Sequence, residues 1–135
     1  MNDRLPTCKQ LERDLSQKIR AFYNTEINFP PQKVTCKIFS KYLAIVLDEA
    51  LTPVEKSLIA REKIELAKQI RREISLVLRP KLVRLIEEAV RVKAIAILTD
   101  TTYTSNKTGT LVVLSESPKV RSSKSLPKLT VSETN

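Results

Sequence analysis

Residues 51–90 read LTPVEKSLIAREKIELAKQIRREISLVLRPKLVRLIEEAV, and this stretch decides the fold. Thr52 can accept a hydrogen bond from an unpaired backbone N–H, Pro53 needs no donor at the first helical position, and Glu55 lies three residues after the cap, as in a capping box. Apolar residues then recur with the helical period and form one stripe: Leu66, Ile70, Ile74, Val77, Leu78, Leu82, Leu85 and Ala89. Because this stripe keeps its phase across Pro80, the pattern predicts a single long helix that is kinked at the proline but not divided by it.

The residues before this stretch predict a shorter helix and a β-hairpin. Apolar residues at spacings of four, four and three predict a helix over residues 7–24. Residues 34–39 place apolar side chains at every second position, which is typical of a strand with one buried face. Residues 42–47 are continuously apolar and predict a second, more deeply buried strand. The two strands are close enough in sequence to form a hairpin.

The residues after the long helix predict a second hairpin. Residues 92–98 carry apolar side chains on both faces, which predicts a central rather than an edge strand. A polar turn over residues 100–109 follows, and it ends at Gly109, the single glycine of the chain. The returning strand is predicted at residues 111–114.

The order helix, hairpin, long helix, hairpin predicts one α+β domain over residues 1–114. Its natural arrangement is a four-stranded antiparallel sheet with the helices on one face. A strand pair that is apolar on both faces exposes more apolar surface than these helices can cover, so we expect a homodimer. Residues 115–135 are rich in serine and basic residues and predict a flexible basic tail.

The composition excludes most catalytic and metal-binding chemistry. The 135 residues include no histidine, two cysteines and one glycine. Without histidine there is no Ser-His-Asp nucleophile system and no imidazole ligand, two cysteines cannot build a four-cysteine zinc site, and one glycine cannot form a phosphate-binding glycine loop. The adjacent carboxylates Asp48-Glu49 and Glu87-Glu88 point apart on a strand or helix. We therefore expect a protein that is not an enzyme and that uses no cofactor and no metal.

The sequence also carries an expectation about the compartment. Polar residues follow Met1 directly, where a signal peptide would have an apolar core, and the longest apolar runs are far shorter than the ~20 residues that span a bilayer. Cys8 and Cys36 are expected to be reduced thiols. These features predict a cytoplasmic protein with no transmembrane segment.

The net charge of +9 is concentrated on the long helix, since residues 61–91 carry 9 basic and 5 acidic groups. Four of its polar residues, at spacings of four, three and four, share one helix face: Lys68, Arg72, Ser75 and Arg79. Arg84 and Arg91, which are seven residues apart, face together beyond the proline. These arginines are either a solvated face that pairs with neighbouring glutamates or a binding site for an anion, such as a nucleotide, a nucleic acid, a phospholipid headgroup or an acidic protein.

Several motifs resemble those of a known family. They are Pro31-x-Lys33-Val34 before a strand, Leu51-Thr52-Pro53-Val54-Glu55 at the helix start, Arg72 and Arg79-Pro80 on the helix, and the closing hairpin from Val92 to Leu114. Together they resemble a family of small bacterial domains that is labelled MpsC-like and was formerly a domain of unknown function. The resemblance covers about residues 8–115.

The resemblance implies two functions for the chain. One branch of the family resembles the CdgR-type receptor, which implies a dimer that binds cyclic di-GMP and acts through a transcription regulator. The family label implies instead an accessory subunit of a sodium-driven, membrane-potential-generating system related to inorganic-carbon uptake, with a membrane transporter complex as its partner. We take the first as the leading expectation and the second as the alternative, with non-specific nucleic-acid binding as a third.

The candidate ligand-binding residues combine the helix cations with one aromatic ring. Arginine suits phosphate because its planar guanidinium donates two parallel hydrogen bonds and also stacks on a base. A symmetric dimer would double every arginine and so supply a clamp for each phosphate of a cyclic dinucleotide. The residues expected to bind the ligand are Lys68, Arg72, Arg79, Arg84, Arg91 and Tyr103.

Overall fold

A computed structural model describes residues 5–121, and within this range the chain forms three helices and one four-stranded antiparallel sheet. The chain order is α1 (Cys8–Ile27), β1 (Lys33–Phe39), β2 (Tyr42–Asp48), α2 (Pro53–Ala60), α3 (Ile64–Val90), β3 (Ala94–Thr102) and β4 (Lys107–Leu114). The strands lie side by side in the order β1-β2-β4-β3. The predicted α+β class and the predicted four-stranded antiparallel sheet are therefore confirmed.

One apolar core joins the sheet to α1 and α3. Leu15 and Ile19 of α1 and Ile86 of α3 are fully buried within it. They pack with the helix-facing residues of the sheet: Cys36, Ile38, Leu43, Ile45, Leu47, Val112 and Leu114. The alternate residues along the strands, such as Lys37 and Val46, are exposed, so the helices cover one face of the sheet as predicted.

The predicted single helix over residues 52–89 is two helices, and this part of the prediction was wrong. The chain leaves α2 in a Schellman motif, in which the N–H groups of Glu62 and Lys63 donate to carbonyls in the last turn of α2 at 3.0 and 2.8 Å. Glu62 has a left-handed backbone with φ 61°, a position that glycine usually fills, so the sequence shows no ordinary stop signal there. α3 does continue through Pro80, as predicted.

The buried face of α3 also differs from the predicted stripe. Leu66 and Val77 belong to that stripe but are 45% and 66% exposed. The buried positions of α3 are Ala67, Arg71, Leu78, Leu82, Ile86 and Val90. Arg71 belongs to this buried face because it pairs with a buried carboxylate of α2. The predicted stripe was drawn from apolar residues alone, so it could not include an arginine.

The second hairpin differs from the prediction in two respects. β3 is an edge strand and not a central one, and six of its nine residues are exposed. The turn is also shorter than predicted, because β3 extends to Thr102 and β4 begins at Lys107, so that Gly109 lies inside β4. Asn106 closes the turn with φ 54°, a left-handed angle that asparagine adopts more readily than most residues.

Six residues other than glycine have positive φ angles in the part of the chain that the structure describes, whereas Gly109 does not. These residues are Asn28, Ser40, Glu49, Glu62, Arg91 and Asn106. A side chain in the left-handed region costs roughly 1–2 kcal/mol because Cβ approaches the following carbonyl oxygen. The turns of this protein therefore carry backbone strain that glycine would relieve.

The chain continues past β4 along the core. Val120 packs against the core, and the N–H of Arg121 donates to the carbonyl of Pro6 at 2.7 Å. The rest of the predicted basic tail, residues 122–135, lies outside the described residues. Within residues 5–121, none of the helices combines the length and the apolar character that crossing a membrane requires.

Candidate anion-binding site

A cleft of about 470 Å³ lies between α3 and the C-terminal half of β3. The α3 wall carries four cationic side chains: Lys68, Arg71, Arg72 and Arg79. Thr99, Asp100 and Thr101 of β3 line the opposite side, and Tyr103 closes the end at the β3–β4 turn. The cleft is therefore a groove in which four basic residues face one carboxylate and two threonine hydroxyls.

The structure brings together four of the six predicted binding residues. Lys68, Arg72 and Arg79 follow the spacing of one helix face, and all three line this cleft with Tyr103. Arg84 is exposed on a later turn of α3 and does not line it. Arg91 ends α3 and lines a separate cavity beside α1. The two arginines beyond Pro80, which the helical spacing already set apart from the first group, therefore lie outside the cleft.

Arg72 and Arg79 form no salt bridge with another described residue of the chain. In residues 5–121, the salt bridges of α3 join Lys68 to Glu65 at 3.9 Å, Arg71 to Glu55 and Lys81 to Glu26, and none includes Arg72 or Arg79. The interpretation of this face as arginines that pair with neighbouring glutamates therefore does not hold for these two residues. Their guanidinium groups are available to an anion that enters the cleft.

Tyr103 contributes a ring and a phenol at the end of the cleft. The ammonium group of Lys68 lies 5.9 Å from the centroid of its ring, which is within cation–π range. Burial raises the pKa of the Tyr103 phenol, against the opposing effect of the nearby Arg71 charge. The phenol is therefore protonated at neutral pH and can donate a hydrogen bond.

The sheet side of the cleft is built on paired threonines. The hydroxyls of Thr99 and Thr110 lie 3.1 Å apart, and those of Thr101 and Thr108 lie 2.9 Å apart. Thr108 and Thr110 are buried, although this face of the sheet is apolar further along at Val112. The interior beside the cleft is consequently polar, and the threonine hydroxyls there can donate hydrogen bonds to a polar ligand or accept them from it.

Arg71 is the residue of the cleft that sequence reasoning missed. It is 5% exposed, and its Nε and Nη2 donate to the two carboxylate oxygens of Glu55 at 2.8 and 2.6 Å. Nη2 also donates to the carbonyl of Ala50 at 2.9 Å. These bonds hold the guanidinium rigidly, and among the described residues they leave Nη1 without a hydrogen bond. A signal for this role was present, because Ala67, Arg71, Leu78 and Leu82 share one helix face.

Glu55 links this arginine to the start of α2. Its Oε1 accepts from the backbone N–H of Thr52 at 2.9 Å, and the Thr52 hydroxyl accepts from the N–H of Glu55 at 3.3 Å. The predicted capping box is therefore present, and its glutamate is also the buried counter-ion of Arg71. One carboxylate thus fixes both the first turn of α2 and the position of the cleft wall.

Asn106 connects the β3–β4 turn to the same region. Its side-chain oxygen accepts from the N–H of Leu51 at 3.1 Å, and its amide nitrogen donates to the carboxylate of Glu49 at 3.1 Å. The N–H of Glu49 donates in return to the carbonyl of Asn106 at 2.9 Å. These bonds hold the turn that carries Tyr103 against the segment that precedes α2.

Three of the four carboxylates considered for catalysis have structural partners. Asp48 pairs with Lys107 at 2.6 Å, Glu49 holds Asn106, and Glu87 accepts from the N–H of Ala94 at 2.8 Å. Residues 5–121 contain no cluster of three or more histidine, cysteine, aspartate or glutamate side chains that could hold a metal ion. The chemistry that the cleft itself supports is the binding of an anion by charge and hydrogen bonds.

A second cavity of about 850 Å³ lies near the C-terminus of α3. Arg91 and two lysines line it, but so do the carboxylates of Asp14, Glu88 and Glu116. Its three basic residues are balanced by three carboxylates, whereas the cleft has four basic residues and one carboxylate, so this larger cavity favours an anion less than the cleft does.

Comparison with known proteins places the chain in a family. No curated protein and no solved structure matched it. A family model described as "Na+-translocating membrane potential-generating system (MpsC)" matches residues 7–116, which include all seven helices and strands described above. The chain therefore belongs to the MpsC family.

Proposed function

We propose that this protein is a non-catalytic regulatory protein that binds a phosphate-bearing nucleotide, with cyclic di-GMP as the leading candidate, in the cleft between α3 and β3. The observation that carries the proposal is the convergence of Lys68, Arg72 and Arg79 on one groove, with Arg71 held rigidly in its wall. Arginine forks bind phosphate oxygens in pairs, and their charge does not depend on pH in the physiological range.

The remaining groups of the cleft suit the sugar and base of a nucleotide. The hydroxyls of Thr99 and Thr101 can pair with ribose or phosphate oxygens. Tyr103 and the arginine planes offer surfaces on which a base can stack. Since the chain has one glycine, which lies in β4, the phosphate is held by side chains and not by a glycine-rich loop. The bound form would then act through a protein partner such as a transcription regulator.

Isothermal titration calorimetry on the full chain tests this proposal. The panel comprises cyclic di-GMP, GMP, ATP, inorganic phosphate and a single-stranded oligonucleotide, each measured at two salt concentrations. Cyclic di-GMP is expected to bind more tightly than inorganic phosphate, with an affinity that falls moderately as salt rises because a few ionic contacts are screened. The absence of heat from every nucleotide would contradict the proposal. Binding confined to an oligonucleotide, with a steep loss of affinity between 50 and 200 mM salt, would favour nucleic-acid binding instead.

A second candidate function rests on the family match. The family description concerns a sodium-translocating, membrane-potential-generating system, and the match spans the whole described domain. We propose as the second candidate that the protein is an accessory subunit of such a system and that its partner is a membrane transporter complex.

Capture of the tagged full chain from detergent-solubilised membranes tests this second candidate. A polytopic membrane protein is expected to co-purify in stoichiometric amount and to be lost when the bait is omitted. Recovery of soluble proteins only would count against the accessory-subunit role and would leave the nucleotide proposal to its own calorimetric test.

A further inference from the structure

The edge of the sheet formed by β3 is long and poorly protected. Among the described residues β3 pairs only with β4, so the N–H and C=O groups along its other side have no strand partner from Ala96 to the end of the strand. The start of the strand is less open, because the register shifts between Ala94 and Ala96 and the N–H of Ala94 donates to Glu87 at 2.8 Å. Ile95 and Leu98 are each 63% exposed, and Asp100 is the single charged residue among the nine of this strand. An exposed edge of this length and apolar character is a template for pairing with another strand.

The opposite edge of the same sheet is protected. β1 carries exposed lysines at Lys33 and Lys37, and α1 packs against it. Inward or outward charges on an edge strand, lysine above all, oppose the approach of a second strand. The difference between the two edges indicates that β3 is left open for a partner.

We propose that a second copy of this chain pairs with β3, strand to strand and antiparallel about a two-fold axis, which extends the sheet to eight strands. Pairing of this kind adds main-chain hydrogen bonds along the strand. The charges at the ends of β3 favour a second copy over an unrelated strand. Lys93 precedes the strand and Asp100 lies near its end. Because the register of β3 shifts by one residue between Ala94 and Ala96, a two-fold axis beside Ile97 brings Lys93 of each copy close to Asp100 of the other.

The same arrangement covers the apolar residues of this edge. An axis beside Ile97 brings Leu98 of each copy next to the register shift at Ile95 of the other, and the burial of these two apolar side chains contributes hydrophobic stabilisation. The clefts of the two copies then flank the junction, because Thr99 and Thr101 belong to the pairing strand. The pairing requires no ligand, so it can be tested apart from the proposed nucleotide binding.

The oligomeric state of the full chain in solution tests the pairing. Sedimentation velocity over a concentration series is expected to give the mass of two chains, and Leu98→Lys is expected to reduce it to that of one chain. Val77→Lys is the matched control, because Val77 is equally exposed at 66% but lies on the face of α3 that points away from the cleft. A monomeric wild-type protein, or a dimer that Val77→Lys dissociates and Leu98→Lys does not, would overturn the proposal.

Cross-linking then tests the position of the axis. The native thiols of Cys8 and Cys36 are buried, and burial raises the pKa of both, so a cysteine introduced at the surface reacts first. With a short bis-maleimide, Leu98→Cys is expected to form a covalent dimer and Val77→Cys is not. Equal cross-linking of the two variants, or cross-linking of Val77→Cys alone, would show that the copies meet elsewhere. Circular dichroism of each variant confirms that these exposed substitutions leave the fold intact.

Discussion

Replacing Glu55 with glutamine is expected to lower the free energy of unfolding by about 3–5 kcal/mol. The carboxylate is fully buried and both of its oxygens accept hydrogen bonds from Arg71, which is itself 5% exposed. The amide has nearly the same shape and can still accept from Thr52, but it leaves the arginine charge in the interior without a counter-ion. Urea unfolding of the full chain, followed by circular dichroism, measures the difference.

Two further variants show whether the loss comes from the unpaired charge. Glu55→Gln combined with Arg71→Met removes both charges, and it is expected to recover part of the loss because an apolar pair of similar volume is often nearly neutral. Asp14→Asn breaks the exposed pair with Lys18 and is expected to cost about 0.3–0.5 kcal/mol. If Glu55→Gln costs no more than Asp14→Asn, the buried pair does not hold α2 to α3 as described.

Replacing Arg72 or Arg79 with alanine is expected to weaken the binding of cyclic di-GMP by roughly tenfold to a hundredfold. Each guanidinium lines the cleft and is free of internal salt bridges among the described residues. A hydrogen bond to a charged group contributes about 1.5–3 kcal/mol, and about 1.4 kcal/mol corresponds to a factor of ten in affinity. Isothermal titration calorimetry of each variant measures the change, and the thermal midpoint shows whether the fold is retained.

The matched controls for these variants come from the same helix. Arg84→Ala removes an exposed arginine of α3 outside the cleft, and it is expected to leave the affinity within about twofold because distant exposed charges are screened. Arg72→Lys keeps the charge but loses the planar fork, so it is expected to recover only part of the affinity. An equal loss of affinity in Arg84→Ala and Arg72→Ala would show that net charge attracts the ligand and that the cleft does not bind it.

The elements that follow from strong local patterns were predictable from sequence. The capping box of Thr52 and Glu55 and the alternation around Cys36 each depend on residues close together in the chain, and the structure contains both. The continuity of α3 through Pro80 was likewise predictable, because the helical period keeps its phase on both sides of the proline. Local interactions decide these features, so the sequence shows them directly.

Other features depend on partners far apart in the chain. The end of α2 has no glycine or proline to mark it, because Glu62 takes the left-handed position. β3 is apolar enough for a central strand, and only the pairing of β2 with β4 leaves it at the edge. A pattern of neighbouring residues does not contain the contacts that end α2 or that place β3 at the edge of the sheet.

The candidate site shows the same division. Helical spacing placed Lys68, Arg72 and Arg79 on one face, and the structure brings all three into one cleft. The same spacing set Arg84 and Arg91 apart as a second pair, but it could not show that only Arg91 lines the cavity beside α1. Arg71 was missed because its role depends on a carboxylate sixteen residues earlier.

Within residues 5–121, six residues other than glycine hold a left-handed backbone, and a chain with so little glycine has an unusually small range of backbone conformations when it is unfolded. Glycine leaves the unfolded backbone more freedom than any other residue, and that freedom is lost on folding. Its near absence, one in 135 residues, reduces the entropy lost on folding, while the left-handed side chains raise the energy of the folded state. Ser40 and Glu62 are exposed and left-handed, so glycine at either position would relieve strain in the folded state and widen the unfolded ensemble. Neither substitution would alter the core or the cleft.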